Sequence, residues 1–97
     1  MAKRLFKTGR TVMTRGVFDA ACADEKFTEF CCMSLARHVS GDWGNVCAED
    51  YKANTEAITI GERILSAYDY PANPELSIWI ITEYDRSATT ILFPREY

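Results

Sequence analysis

The chain has 97 residues, 47% of them hydrophobic, with two Trp, five Tyr and five Phe, which suits one small domain with its own core and is too short for two. The formal charge of −3 is unevenly spread: the first ten residues hold Lys3, Arg4, Lys7 and Arg10 and no acid, while the remaining 87 carry seven basic and fourteen acidic side chains. An acidic body excludes general nucleic-acid binding, which needs a basic face to displace counterions, and no apolar run reaches the ~18 residues of a membrane span.

In chain order, residues 1–10 read as a basic arm, more a frayed, solubilising terminus than a contact for phosphates or an acidic partner. Residues 11–97 then form a single domain. Residues 11–13 suit a short strand. Thr14 offers an N-cap to a helix over 15–22 with Val17, Phe18 and Ala21 on one side, weakened by Gly16. Asp24 caps a longer helix, Glu25–Val39, whose apolar stripe is Phe27, Phe30, Cys31, Leu35 and Val39, widened by Cys32 and Met33. Arg37 and His38 fall in its last turn, where positive charge suits the carbonyl end of the helix, and Gly41 stops it. Gly41-Asp42-Trp43-Gly44 is a turn with an aromatic centre.

A third helix is expected over Ala48–Ile60, with Tyr51, Ala57 and Ile58 inward and Gly61 as its C-terminal cap. Residues 63–68 alternate as a strand, residues 69–75 are a proline-bearing loop, and residues 77–82 and 89–93 form a hairpin around a charged turn at 83–87, closed by Pro94. The fold class is therefore α+β, with two to three N-terminal helices packed on one face of a C-terminal three-stranded antiparallel β-meander.

Chemistry is sparse. Cys22, Cys31, Cys32 and Cys47 have no C-x-x-C spacing, so no metal site is expected and the thiols read as small buried hydrophobes. The opening MAKRLFKTGR lacks the apolar stretch of a signal peptide, which points to a reducing cytosol. His38 is the only histidine. It reads first as a helix cap, with Asp42 outside clean geometry and a spatial pairing with Cys31 or Cys47 as the catalytic alternative. No phosphate-binding loop or serine elbow is present, and no cofactor is implied.

For binding, Trp43 is either a core plug or an exposed anchor, the plug being favoured. Asp50 and Asn54, one helical turn apart beside Tyr51, either face a ligand or satisfy backbone near the Trp43 loop. Glu83, Asp85 and Arg86 read as a solvated turn with a local Arg–carboxylate pair, ahead of a ligand or acid–base site.

Residues 41–54 (GDWGNVCAEDYKAN), Gly61, residues 63–68 (RILSAY) and residues 78–97 (IWIITEYDRSATTILFPREY) resemble a family of small plasmid-, phage- and integrative-element-encoded proteins, often labelled plasmid-related. The resemblance implies a genetic setting rather than a catalytic motif. Small acidic accessories of mobile elements are often inhibitors of bacterial defence, anti-CRISPR and anti-restriction proteins among them. The expectation is a non-enzymatic inhibitor in the bacterial cytoplasm, monomer or homodimer, that binds a CRISPR-Cas or other defence-system subunit through surface acids such as Glu49 and Glu56. The alternatives are a nucleotide-signal sponge lined by Trp43, Tyr51, Asn54 and Arg86, and an enzyme acting through Cys47 or the Glu83/Asp85 pair.

Overall fold

Side-chain caps set the helical half of the chain, seen in a computed structural model that describes residues 3–97. Helix α1 (Arg15–Ala23) begins at Thr14, whose hydroxyl accepts from the Val17 amide, and helix α2 (Glu25–Val39) at Asp24, whose carboxylate accepts from the Lys26 amide at 3.0 Å. Helix α3 (Ala48–Ile60) ends at Gly61, which adopts the left-handed conformation at φ 74°.

Gly16 has a specific use. The Glu96 carboxylate, from the far end of the chain, accepts from Thr14 Oγ1 at 2.6 Å, the Phe93 amide at 2.9 Å and the Gly16 amide at 3.2 Å. A Cβ on residue 16 would press on that carboxylate, so the glycine that costs helix propensity makes room for an anion at the helix N-terminus. Burial works against the charge, yet these hydrogen bonds hold the Glu96 carboxyl below its ordinary range.

The sheet is not a three-stranded meander. Strands β1 (Arg10–Met13), β2 (Ile64–Tyr68), β3 (Ile78–Thr82) and β4 (Ala88–Leu92) form one four-stranded mixed sheet in the order β1-β4-β3-β2. The expected hairpin is β3–β4, and β2 pairs antiparallel with β3. The added strand is β1, which lies parallel to β4 with Arg10 opposite Ala88 and Met13 opposite Ile91. Helices α1 and α2 stand between β1 and the other strands in sequence, and such a crossover is what parallel pairing requires. The helices are also not all on one face. Helices α1 and α2 cover the face that presents Ile78, Ile80 and Ile91, while α3 lies along the edge of β2.

The core has two centres. The larger joins Val17, Phe27, Cys31, Tyr68, Tyr70, Ile78, Ile80, Ile91 and Phe93. The smaller joins Phe6, Trp43, Ala57 and Ile64, so the basic lead-in is docked from Leu5 onward: Leu5 donates its amide to Val39 O at 2.8 Å, and Phe6 and Thr8 are buried. Residues 1 and 2 of the expected arm lie outside the described residues. On α2 the buried positions are Phe27, Cys31, Ser34 and His38, whereas Met33 and Cys32 face solvent. Phe18 is likewise exposed, leaving Val17 as the buried residue of α1. Of the four cysteines only Cys31 is buried, and burial pushes its thiol up to about 11. Cys22, Cys32 and Cys47 are exposed, which corrects the expectation that all four fill the core.

Candidate functional site

The Gly41–Gly44 turn is built around Asp42. Its carboxylate takes a bidentate pair from Arg37, at 2.7 and 3.1 Å, and accepts from the Gly44 amide at 3.1 Å. The hydrogen bond from Arg37 holds the Asp42 carboxyl below its usual range, and the ring nitrogens of His38 bond to Ser66 and Thr82 rather than to Asp42. Gly44 (φ 72°) brings the turn against β2, where the Asn45 amide donates to Ala67 O at 2.7 Å and the Ala67 amide to Trp43 O at 3.1 Å. A Cβ on residue 44 would fall on the Ala67 carbonyl, so only glycine permits this approach.

Trp43 is a core plug. It is fully buried, edge-on to His38 and Tyr51 and tilted against Phe6, and its indole Nε1 donates to Thr55 Oγ1 at 3.1 Å. Tyr51 covers it from the surface and donates to Gly41 O at 3.3 Å. Asn54 takes the second of its two sequence readings. Its amide donates to Leu65 O at 2.7 Å and its carbonyl accepts from the Leu65 amide at 3.2 Å. With the Ala67 bonds to the turn, the outer edge of β2 is thus closed by the chain itself.

His38 is not a surface helix cap. It is fully buried, and both ring nitrogens are engaged, Nδ1 by Ser66 Oγ and Nε2 by Thr82 Oγ1 at 2.8 Å. The hydroxyls fix its tautomer. Thr89 Oγ1 spends its one proton on Thr8 O, at 2.8 Å, so Thr82 must donate to Thr89, its cross-strand partner. Thr82 then has no proton for the ring, so Nε2 carries the hydrogen and Nδ1 accepts from Ser66. Burial, and after it the Arg86 charge, lowers the His38 pKa to about 4.

A serine hydroxyl on an imidazole invites comparison with a nucleophile–base pair, but the comparison fails on three physical counts. Ser66, His38 and Thr82 are all fully buried, the group orienting the ring is a neutral hydroxyl rather than a carboxylate, and the ring is a weak base at neutral pH. Neither Cys31 nor Cys47 reaches His38, because Ser66 and Thr82 occupy both nitrogens. The Ser–His–Thr–Thr chain therefore holds α2, β2, β3, β4 and the lead-in together.

Arg86 differs from its expected role as well. Among the described residues it pairs with no carboxylate. It sits at φ 60° and donates to four carbonyls: Glu62 O at 2.6 Å, Ala57 O at 2.8 Å, Glu83 O at 3.1 Å and Tyr84 O at 3.4 Å. One of these, Ala57 O, belongs to the last turn of α3 and Glu62 O follows its glycine cap, so the guanidinium caps that helix where its dipole is negative and ties the hairpin turn to it. Replacing Arg86 by Ala is expected to lower stability by about 2–3 kcal/mol, with Lys recovering only part of it, as read by urea unfolding.

The predicted acids remain on the surface. Glu49, Asp50 and Glu56 are exposed along α3, joined by Glu62 and by Asp85 in the hairpin turn; Glu83 is half-buried. The two ion pairs of the described residues, Arg15–Asp19 and Arg37–Asp42, use none of them. The side chains expected to line a ligand pocket are otherwise engaged: Trp43 is buried, Arg86 is held by carbonyls, Tyr51 lids the tryptophan, and Asn54 borders a surface hollow of about 270 Å³ with Asp50, Ala53, Arg63 and Leu65. The sequence reading missed Ser66, Thr82, Thr89 and Glu96. The signal for the threonines was present, since strand alternation turns Thr82 and Thr89 to the same face as Ile80 and Ile91.

No protein-family model, curated protein or solved structure matches the chain.

Proposed function

We propose that the chain is a non-enzymatic binding protein that presents the acidic face of α3 to a basic surface of a bacterial defence protein, and inhibits it by occupancy. The observation that carries the reading is the row of exposed acids, Glu49, Asp50 and Glu56, on a helix fixed at both ends: by the Trp43 turn, through Tyr51 and Thr55, and by Arg86 at its C-terminus. A rigid helix whose exposed acids outnumber its one lysine, Lys52, suits a groove built for nucleic acid, where complementary potentials speed encounter and set register. The resemblance of residues 41–97 to plasmid-related proteins supplies the setting in which such an inhibitor is useful, and this step is by analogy. The engagement of Trp43, Asn54 and Arg86 in the fold leaves the sponge alternative without free side chains at its centre, and that of His38 and Ser66 leaves the exposed Cys47 and Asp85 of the enzyme alternative without an imidazole beside them.

The test is phage plaquing on a host with an active CRISPR or restriction system. Expression of the protein is expected to restore plaquing of a targeted phage. Reversal of Glu49, Asp50 and Glu56 to Lys is expected to abolish the effect without changing the unfolding midpoint by more than a few degrees, since exposed charges contribute little to stability. Cys47→Ser is expected to inhibit as the unmodified protein does. Loss of inhibition in Cys47→Ser, with the triple reversal still active, would replace this reading with the catalytic one.

A further inference from the structure

The two edges of the sheet are treated differently. The β2 edge is consumed internally: Asn54 takes the Leu65 amide and carbonyl, and the Gly44 turn takes those of Ala67. Among the described residues nothing pairs with the outer edge of β1. Arg10 donates to Ser87 O and Thr14 to Ile91 O, both at 3.0 Å, so by alternation the amides of Arg10, Val12 and Thr14 face β4 and those of Thr11 and Met13 face outward. All four residues of β1 are exposed.

Beside this edge runs a groove between β1 and α2. One hollow, of about 140 Å³, is bordered by Thr11, Met13, Cys31, Cys32 and Leu35, and a second, of about 240 Å³, shares Thr11, Cys32 and Leu35 with it and extends toward Arg4 and Val39. No acidic side chain lines either hollow. Arg4 borders the second hollow, Lys7, Arg10 and Arg15 are exposed on β1 or next to it in sequence, and the Glu96 carboxylate at the Thr14 end is taken up by Thr14, Gly16 and Phe93. The basic edge of the sheet thus lies opposite the edge covered by acidic α3.

We infer that β1 accepts an extended, acidic segment of a partner protein as a fifth strand, with an apolar side chain of that segment seated in the groove over Cys32 and Leu35. Main-chain donors and acceptors at Thr11 and Met13 would supply the ladder, the groove the apolar pocket, and the arginines and lysine the preference for acids. A second copy of this chain is disfavoured as the occupant, because antiparallel pairing of two β1 strands would set Arg10 of one beside the Met13–Arg15 end of the other, like charge against like. A nucleic acid would match the charge but not the apolar groove. This site is separate from the α3 face and stands or falls independently of it.

The test is selection from a phage-displayed library of random 12-residue peptides against the full chain, followed by affinity measurement and amide exchange. The expected result is enrichment of acidic peptides with alternating apolar residues, whose binding slows exchange at Thr11 and Met13. Their affinity should fall at least tenfold in Met13→Pro, which removes an outward N–H unused by the fold, with thermal unfolding checked alongside. If Met13→Pro unfolds, the exposed charge reversal Arg4→Glu, Lys7→Glu and Arg10→Glu replaces it, with the same loss expected. Failure to enrich any peptide, enrichment of basic ones, or unchanged affinity in a folded variant would overturn the proposal. So would concentration-dependent self-association that the same variants abolish.

Discussion

Acidifying a solution of this protein from pH 7 to pH 5 is expected to weaken the fold, and replacing His38 is expected to remove that weakening. His38 titrates near 4 in the fold against an ordinary 6.5, because burial, and next the Arg86 charge, oppose the imidazolium. The sign follows from proton linkage. Between these values the unfolded chain holds the extra proton, so stability is complete above about pH 7 and falls as the pH drops toward 4. The gap corresponds to roughly 3 kcal/mol, a large part of the total for a domain of this size. Asp42, Asp85 and Glu96 also lose stabilising charge on acidification, but their depressed values place that loss below about pH 4 to 5. His38→Gln keeps a donor for Thr82 and gives up the partner of Ser66. It should cost about 1–2 kcal/mol at pH 7 and leave stability nearly flat from pH 7 to 5, read by urea unfolding at each pH. A His38→Gln protein that follows the unmodified one through the whole window would show that the ring is not the group that titrates.

The second large effect is at Trp43. Trp43→Ala is expected to cost about 3–5 kcal/mol, since it empties a fully buried site and removes the surface on which Phe6, His38 and Tyr51 pack. Thermal unfolding should drop by roughly 15–30 °C, enough to leave the protein partly unfolded near 37 °C. Trp43→Phe keeps the apolar contact and loses the Nε1–Thr55 hydrogen bond, for a cost of about 1–2 kcal/mol. Because the same tryptophan anchors the start of α3, the Ala substitution should speed amide exchange along that helix before the rest of the fold opens. A protein that tolerates Trp43→Ala within about 1 kcal/mol would contradict the placement of the smaller core centre.

The elements with local signals were legible in the sequence. Helix α2 was readable at both ends and α3 at its C-terminus, because Asp24, Gly41 and Gly61 are side-chain or backbone stops that act within one turn. The β3–β4 hairpin was readable from its two β-branched runs. The strand β1 was visible, but its pairing was not: RTVM has one apolar pair and its partner lies 78 positions away, so nothing nearby favours parallel addition over a free arm. Phe6 looked like part of a basic terminus because its burial depends on Trp43 and His38, which are distant in sequence. His38 and Arg86 carry charge or can carry it, and composition places such residues outside. Each is held inward by partners, two hydroxyls in one case and four carbonyls in the other, that no local pattern predicts. Asn54 was the polar residue whose position inside an apolar helix face did suggest a bond to buried backbone, and it makes two.

Sequence and geometry together describe a domain whose polar interior is occupied in holding the fold and whose acidic helix is free. The measurement that tests this most directly is co-purification. A tagged copy and its Glu49→Lys, Asp50→Lys, Glu56→Lys form would be isolated from bacteria carrying active CRISPR and restriction systems, and the bound protein and small molecules quantified. The expected result is a defence-system subunit in near-equal amount with the unmodified protein and none with the charge-reversed one. A subunit retained equally by both, or no protein but a nucleotide released on denaturation, would contradict binding through α3.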